Sequence, residues 1–235
     1  MRKAATVAGL WAADLWSLLA PRRCSGCDTA LLSHEESLCD GCLEELPLTR
    51  FNDDPFNAVE RLFHGKVPLT AAGALMRFSA HGMVQRILHR IKYAHDLEAA
   101  VVLGRLMGQE LRDRPRFAGI DSVIAVPLHP RKERKRGYNQ SRLLADGLRE
   151  VLPLEPLHRC LQRVERTSTQ TRKGRLARWS NVKEAFVVQD EAVLRGRHVL
   201  LVDDVVTTGA TAEACATVLL ATPGTRVSLF AAACA

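Results

Sequence analysis

Long hydrophobic runs are absent from this sequence. No segment among its 235 residues reaches the length of about 18 uncharged apolar residues that a membrane-spanning helix requires. An apolar segment that ends at Ala20 follows Arg2 and Lys3, as the core of a signal peptide would, but Asp14 interrupts it. Its apolar residues recur at helical spacing. We therefore predict an amphipathic helix over residues 5–20 and a cytoplasmic protein without a membrane span.

Aromatic side chains are scarce, at 5% of the residues, which argues against nucleic-acid binding that depends mainly on base stacking. Basic side chains, in contrast, are concentrated in one part of the chain. Residues 129–183 contain fifteen Lys or Arg and five Asp or Glu, a balance of +10, whereas the whole chain carries +7. Such a segment attracts polyphosphates or nucleic acid, although an ordinary solvated basic surface explains the charge equally well.

Three common phosphate-binding patterns are missing. Gly209 is followed by Ala210 where a Walker A loop needs a Lys, and no G-x-G-x-x-G dinucleotide loop occurs. A response-regulator receiver would need a phosphoacceptor Asp and a Lys beyond its paired acids, and neither residue type occurs after Asp204. The candidate site must therefore be of another kind.

The chain does contain a sugar-phosphate pattern at residues 199–211. Val199 to Val202 predict a strand buried on both faces of a parallel sheet, and two adjacent acids stand where that strand should end. A Thr/Gly loop then enters a helix, whose free backbone N–H groups and dipole favour a phosphate, while the acids suit hydroxyls or a cation on the same ligand. An exposed Asp pair with a Thr helix cap is the alternative. The candidate binding residues are Asp203, Asp204, Thr207, Thr208, Gly209, Ala210 and Thr211.

These thirteen contiguous positions resemble the phosphoribosyl pyrophosphate (PRPP) signature of type I phosphoribosyltransferases. The resemblance implies that Asp203 and Asp204 hold the ribose 2′- and 3′-hydroxyls, and that the loop over residues 207–211 holds the 5′-phosphate. PRPP or ribose 5-phosphate is then the expected ligand, and Mg²⁺ the expected companion of PRPP.

The seven cysteines divide into two groups. Four form the pattern C-x2-C-x11-C-x2-C, while Cys160, Cys215 and Cys234 are scattered among apolar residues and are expected to be buried. Two such C-x-x-C pairs can place four thiolates around a structural Zn²⁺, whereas a single redox C-x-x-C would not explain the second pair. Gly26 and Gly41 are expected to form tight turns inside the two pairs. The predicted zinc ligands are Cys24, Cys27, Cys39 and Cys42.

Strands and helices alternate from residue 120 onward, which predicts a parallel, doubly wound α/β sheet. We predict an N-terminal helix and four-cysteine zinc module over residues 1–46, a linker over residues 47–68, and the α/β domain over residues 69–235. Within that domain, the sequence predicts strands at 69–78, 122–126, 186–188, 199–202 and 226–232, helices at 82–93, 97–111, 139–150 and 210–220, and a basic loop at 127–138.

The order of these motifs resembles the ComF family of competence proteins and the related GntX-type proteins. The resemblance covers nearly all of residues 10–235. It is carried by the cysteine pairs, the PRPP signature, and three further groups of residues: Pro127-Leu128-His129, then Arg136-Gly137-Tyr138-Asn139-Gln140-Ser141, then Gln170, Arg178, Asn181 and Phe186. It implies a type I phosphoribosyltransferase-like parallel sheet with helices on both faces, plus a small N-terminal zinc-binding module.

The resemblance also implies roles for the basic segment. A pyrophosphate-binding loop is expected within residues 127–138, with Arg131, Arg134 and Arg136 as candidates, and a mobile loop is expected at residues 163–178. One hypothesis is an enzyme that displaces pyrophosphate from ribose C1 and acts in DNA uptake and natural transformation. The alternative is a non-catalytic accessory protein that binds single-stranded DNA and keeps the fold as a ribose-phosphate sensor. Competence machinery is then the expected partner.

Overall fold

A computed structural model describes residues 21–164 and 185–235. The helix predicted over residues 5–20 and most of the mobile loop predicted over residues 163–178 lie outside the described residues. Gln170, Arg178 and Asn181 also lie outside them. The predicted zinc module is therefore described from residue 21 onward.

The described strands form one parallel sheet and one small antiparallel pair. In chain order the strands are β1 (Ala72–Arg77), β2 (Ser122–Ala125), β3 (Glu155–Pro156), β4 (Leu161–Arg163), β5 (Phe186–Val188), β6 (His198–Val206) and β7 (Arg226–Cys234). The main sheet has five strands in the order β1-β7-β6-β2-β3, and every pairing in it is parallel. Strands β4 and β5 pair antiparallel with each other.

Helices cover both faces of the sheet. In chain order they are α1 (Asp40–Glu44), α2 (Ala58–Arg61), α3 (Met83–Tyr93), α4 (Leu97–Leu111), α5 (Pro130–Arg136), α6 (Gln140–Arg149) and α7 (Ala210–Leu220), and short 3₁₀ turns lie at Phe51–Asp53 and Pro115–Phe117. The starts of α4 and α6 have clear causes, because the Asp96 and Asn139 side chains accept hydrogen bonds from the backbone N–H groups of Ala99 and Ser141.

Two apolar cores lie on opposite faces of the sheet. Side chains alternate between the faces of a strand, so Leu200 and Val202 of β6 pack with α3, α4 and α6, while Val199 and Leu201 pack with α2, α7 and the β4–β5 pair. Burial of β6 on both faces explains why its sequence is apolar at every position from Val199 to the acids. The predicted parallel sheet with helices on both faces is confirmed.

Two local predictions are wrong. The strand predicted over residues 199–202 extends to Val206, because β7 continues to pair with it as far as Val206 and Cys234. Residues 130–136 form helix α5 instead of a loop. Pro130 occupies the first turn of that helix, the His129 side chain accepts a hydrogen bond from Arg131 N, and Gly137 ends the helix with a φ of 85°.

The segment predicted as a linker, residues 47–68, packs against the sheet. Val59 and Phe63 are buried in the core that also contains α7. The Asn57 side chain caps α2 and donates a 2.9 Å hydrogen bond to Ala72 O in β1. The division of the chain into domains stays a prediction. Across residues 21–164 and 185–235, none of the helices combines the length and the apolar character needed to cross a bilayer.

Candidate functional site

The candidate site lies at the switch point of the parallel sheet. From β2 the chain moves outward to β3, whereas from β6 it moves in the opposite direction to β7. The crevice between such strands, at their carboxyl ends, is where open parallel sheets bind ligands. Pairing between β2 and β6 stops at Ala125 and Val202. Asp203 and Asp204 are the next two residues, so both acids lie where β6 still pairs with β7 but no longer with β2.

Asp203 is held by a neighbouring helix. Ser141, in the first turn of α6, donates a hydrogen bond of 3.2 Å to Asp203 Oδ1, and Asp204 N donates one of 2.8 Å to the same oxygen. Asp203 is 8% exposed. Burial, and then the charge of Asp204, raise the pKa of Asp203 well above its ordinary value. This carboxyl therefore holds its proton more tightly than an exposed aspartate does.

Asp204 is paired with a lysine from the other side of the crevice. Lys92 Nζ, in the last turn of α3, lies 2.7 Å from Asp204 Oδ2, and Val205 N donates a 2.8 Å hydrogen bond to Asp204 Oδ1. Sequence reasoning missed Lys92, because a lysine on the polar face of an amphipathic helix looks like any solvated residue. It also gave Ser141 no role, although that residue stands in a motif that carries the family resemblance.

The loop after the acid pair ends at a helix start that no side chain caps. Gly209 sits at the N-cap position of this helix, α7, with a φ of 76°. A Cβ at Gly209 would lie 3.0 Å from the Phe63 ring, so both the conformation and the space favour glycine. A small cavity of about 50 Å³ is lined by Asp203 and residues 205–212. The structure thus brings together the whole predicted set: Asp203, Asp204, Thr207, Thr208, Gly209, Ala210 and Thr211.

The three predicted pyrophosphate arginines lie on or at the end of α5. Arg131 and Arg134 are exposed, and their predicted role stays a prediction. Arg136 stacks over the ring of Tyr93 at 5.6 Å and donates to Gln140 Oε1. Because Tyr93 follows Lys92, Arg136 lies against the same last turn of α3 that supplies the cation to the acid pair.

Asn139 fixes the segment between β2 and α6. Its Nδ2 donates a 3.0 Å hydrogen bond to Val126 O, while its Oδ1 accepts one from Ser141 N. The end of β2 is thereby tied to the helix that holds Asp203. A second cleft of about 240 Å³ opens beside this segment, and its basic lining residues are Arg142, His158, Arg159 and Arg163.

The predicted zinc ligands converge on one point. The sulfur atoms of Cys24, Cys27, Cys39 and Cys42 all lie within 4.8 Å of one another. The Cys27 and Cys39 sulfurs are 3.6 Å apart. A tetrahedral site with Zn–S bonds of about 2.3 Å requires sulfur separations of about 3.8 Å. The cluster therefore has the donor set and the spacing that Zn²⁺ needs.

The surroundings act in opposite directions on different cysteines of the cluster, because burial and hydrogen bonds with the other cysteines raise the pKa of Cys42. Gly26 N and Cys39 N donate to Cys24 Sγ at 3.4 and 3.3 Å. Hydrogen bonds from Thr29 lower the pKa of Cys27 to about 6, and a metal ligand must be deprotonated.

Gly26 is needed for space, because a Cβ there would lie 2.7 Å from Cys42 Sγ. The expectation for Gly41 is wrong, since this residue lies within α1 and a Cβ there would point into open space.

The cysteine cluster is attached to the sheet domain through Asp96. The Ser25 hydroxyl donates to Asp96 Oδ2, the Ser37 hydroxyl donates to Asp96 Oδ1 at 3.2 Å, and Asp96 also caps α4. The other three cysteines, Cys160, Cys215 and Cys234, are buried as predicted.

Comparison with known proteins gives homologues in two groups. No protein-family model matches the chain. "DNA utilization protein YhgH" of Escherichia coli (strain K12) is 36% identical over 137 residues, which cover 57% of this chain and 60% of that protein. "Competence protein F" of Haemophilus influenzae is 33% identical over 129 residues, 53% of this chain and 56% of that protein. The predicted similarity to competence proteins is confirmed, and the chain matches about 60% of the length of these relatives.

Solved structures also align with part of this chain. Glutamine PRPP amidotransferase from B. subtilis gives a TM-score of 0.44 at 17% identity, covering 62% of this chain and 30% of that chain. A hypoxanthine phosphoribosyltransferase from Staphylococcus aureus gives a TM-score of 0.37 at 10% identity, covering 59% of this chain and 74% of that chain.

Proposed function

We propose that the chain binds PRPP or ribose 5-phosphate, with Mg²⁺, at the acid pair and the loop that follows it. One observation carries the proposal: two buried aspartate side chains and a helix start without a side-chain cap lie together at the switch point of a parallel sheet. The carboxylates are acceptors for hydroxyls, and the helix start supplies donors to a phosphate. A sugar phosphate needs both kinds of group within one small site.

Each part of the ligand has its own partner in this proposal. Asp203 and Asp204 accept hydrogen bonds from the ribose hydroxyls, while the backbone of residues 207–211 and the Thr208 and Thr211 hydroxyls surround the 5′-phosphate. The oxygen donors of the acid pair fit Mg²⁺, which prefers oxygen ligands and keeps several waters. When bound, Mg²⁺ would offset the negative charge of the diphosphate. Ser141 and Lys92 keep the two carboxylates oriented before the ligand arrives.

Ligand binding is tested by calorimetry with the full chain. We expect PRPP and ribose 5-phosphate to bind in the presence of Mg²⁺. We also expect the double variant Asp204→Asn, Thr211→Val to bind at least tenfold more weakly, because each lost charge-assisted bond contributes on the order of 1.5–3 kcal/mol. Equal affinities for the variant and the parent would place the ligand elsewhere. Release of pyrophosphate from PRPP, measured with candidate acceptors, distinguishes a transferase from a binding protein.

We also propose one structural Zn²⁺ at the four cysteines. The convergence of the sulfurs and the hydrogen bonds to Cys24 support it. Four sulfur ligands leave no open coordination position, so the metal would organise the residues around it and take no part in catalysis. In this proposal the loop that contains Ser25 and Ser37, and through them the contact with Asp96, depends on the metal.

The second candidate function is binding of single-stranded DNA in natural transformation. It is supported by the names of the relatives, "DNA utilization protein" and "Competence protein F", and by the basic cleft of Arg142, His158, Arg159 and Arg163. DNA held mainly through its phosphates would bind with a steep salt dependence, about −0.7 in the slope of log K against log salt for each phosphate contacted. Pyrophosphate release that DNA neither requires nor alters would favour the small-molecule function.

A further inference from the structure

The Lys92 ammonium occupies an unusual position beside the acid pair. Its Nζ lies 2.7 Å from Asp204 Oδ2, and the two side chains are only 25% and 10% exposed. A buried ion pair contributes little net stability, because the cost of desolvating both charges offsets their attraction. The position of this pair inside a candidate ligand site therefore points to a role in binding.

A second cation lies against the same turn of α3. Arg136 stacks over Tyr93, the residue that follows Lys92. The Tyr138 hydroxyl donates to Ile91 O, so the segment after α5 packs on the last turn of α3. Lys92 therefore belongs to the last turn of α3 and Arg136 packs against that turn, and of the two cations Lys92 is the one that contacts the acid pair.

The lysine can reach a group attached to the sugar. A hydrogen bond between oxygen atoms spans about 2.7 Å. Since Lys92 Nζ is 2.7 Å from Asp204 Oδ2, it lies within about 5.5 Å of any hydroxyl oxygen that donates a hydrogen bond to Oδ2. In PRPP the diphosphate is attached to C1, the carbon next to the 2′-hydroxyl. Lysine carries its charge on a flexible four-carbon stem with three donors, so the ammonium can turn from Asp204 toward a group on the neighbouring carbon.

We propose that Lys92 is a binding residue for the diphosphate of PRPP: its ammonium rests on Asp204 in the free protein and moves to the diphosphate when PRPP binds. This inference rests on the proposed function, because it needs the sugar hydroxyls at the acid pair. The move frees Asp204 Oδ2 for a hydroxyl and gives the diphosphate a charge-assisted donor. Ribose 5-phosphate has no diphosphate, so with that ligand Lys92 stays on Asp204.

Comparison of two ligands tests the inference. The full, zinc-loaded chain is titrated with PRPP and with ribose 5-phosphate in saturating Mg²⁺, as the parent and as Lys92→Met, with the exposed Lys66→Met as the matched control. We expect Lys92→Met to weaken PRPP binding at least tenfold, as loss of a charge-assisted bond does. We expect it to change ribose 5-phosphate binding less than about threefold, and Lys66→Met to change neither.

Every outcome of this comparison decides between the hypotheses. A parent protein that binds neither ligand overturns the proposed function and this inference with it. A parent that binds both ligands, with a Lys92→Met variant that loses both equally, shows that Lys92 only holds Asp204 and overturns the inference alone. Unchanged binding of both ligands by the variant also overturns it.

A second measurement needs no folded variant of Lys92→Met. In the parent protein, the NMR signal of the Lys92 side-chain nitrogen, assigned through Lys92→Arg, should shift when PRPP is added and stay nearly unchanged with ribose 5-phosphate. Equal shifts with the two ligands would contradict the transfer of the ammonium to the diphosphate.

Discussion

Replacing Asp203 by asparagine should make the free protein more stable, although it removes a predicted ligand contact. Burial and the neighbouring Asp204 carboxylate raise the pKa of Asp203 from 3.8 to about 8. Asparagine has nearly the same shape, and its Oδ1 can still accept the hydrogen bonds that Ser141 and Asp204 N donate. The substitution therefore removes a buried group that must either keep its proton or carry a costly charge, and it leaves these contacts in place.

The sign and the magnitude follow from the two pKa values. Below pH 3.8 the carboxyl is protonated in both folded and unfolded chains and contributes no difference. Between pH 3.8 and about 8 the unfolded chain loses its proton while the folded chain keeps it, so the stability contributed by Asp203 falls as pH rises. Each unit of pKa difference corresponds to about 1.4 kcal/mol, so the full penalty above pH 8 is on the order of 6 kcal/mol.

Urea unfolding of the parent and Asp203→Asn at intervals from pH 4 to pH 9 measures this effect. We expect the free energies of unfolding to be similar near pH 4 and the variant to become progressively more stable up to about pH 8. Asp146→Asn, at a side chain that is 41% exposed, controls for the chemical change itself. A difference in the free energy of unfolding between variant and parent that is constant with pH, or that shrinks as pH rises, would refute the assignment of a raised pKa to Asp203. With ribose 5-phosphate present, the variant should gain less stability than the parent.

Three further changes test other parts of the structure. Cys39→Ser should reduce bound zinc from about one ion per chain to a small fraction, and full zinc content by atomic emission would contradict the four-sulfur site. Gly209→Ala should cost roughly 1–3 kcal/mol in urea unfolding, because its φ is 76° and its Cβ would meet the Phe63 ring. It should also weaken ribose 5-phosphate binding, and an unchanged affinity would show that the phosphate does not bind at this loop. Replacing Arg134 and Arg136 by Ala should weaken PRPP binding strongly while only modestly reducing the salt dependence of DNA binding, and the opposite pattern would favour the DNA-binding function.

The acid pair and the phosphate loop could be predicted because they are contiguous in sequence. A buried strand, two acids, a Gly at a helix start and an apolar helix all fall within residues 199–220, so local pattern alone places them at one edge of a sheet. The extent of β6 could not be predicted in this way. It depends on β7, whose pairing carries β6 on to Val206, and on β2, whose pairing stops at Val202.

Helix α5 was missed for a different reason. Its sequence contains no apolar stripe, so hydrophobic periodicity gives no signal over residues 130–136. The helix is instead defined by its ends, with His129 and Pro130 at the start and Gly137 at the end. Arg, Lys and Glu also have high helix propensity. The capping residues at its two ends, together with the helix propensity of its residues, predict this helix where hydrophobic periodicity does not.

Lys92 shows what lies beyond sequence reasoning altogether. Its helix was predicted correctly, but the contact with Asp204 joins residues 112 positions apart and depends on how α3 packs over the sheet. No local pattern distinguishes this lysine from the others on polar helix faces. Long-range contacts of this kind become visible only once the fold is known. Here the contact shows that Lys92 of α3 is a neighbour of the two aspartates.

The charge arrangement around the acid pair bears on which sugar phosphate fits best. Asp204, and Asp203 when it is ionised, repel phosphate oxygens, but a hydroxyl can donate to them without bringing any charge of its own. The negative groups of a ligand must therefore be bound by other parts of the protein. One is the start of α7, and the other is the last turn of α3, where Lys92 and Arg136 lie. A ligand that carries a phosphate at one position, hydroxyls next, and a diphosphate beyond them uses all three groups. Ribose 5-phosphate leaves the cations at the end of α3 unused, so on the proposed function PRPP is the ligand that this arrangement favours.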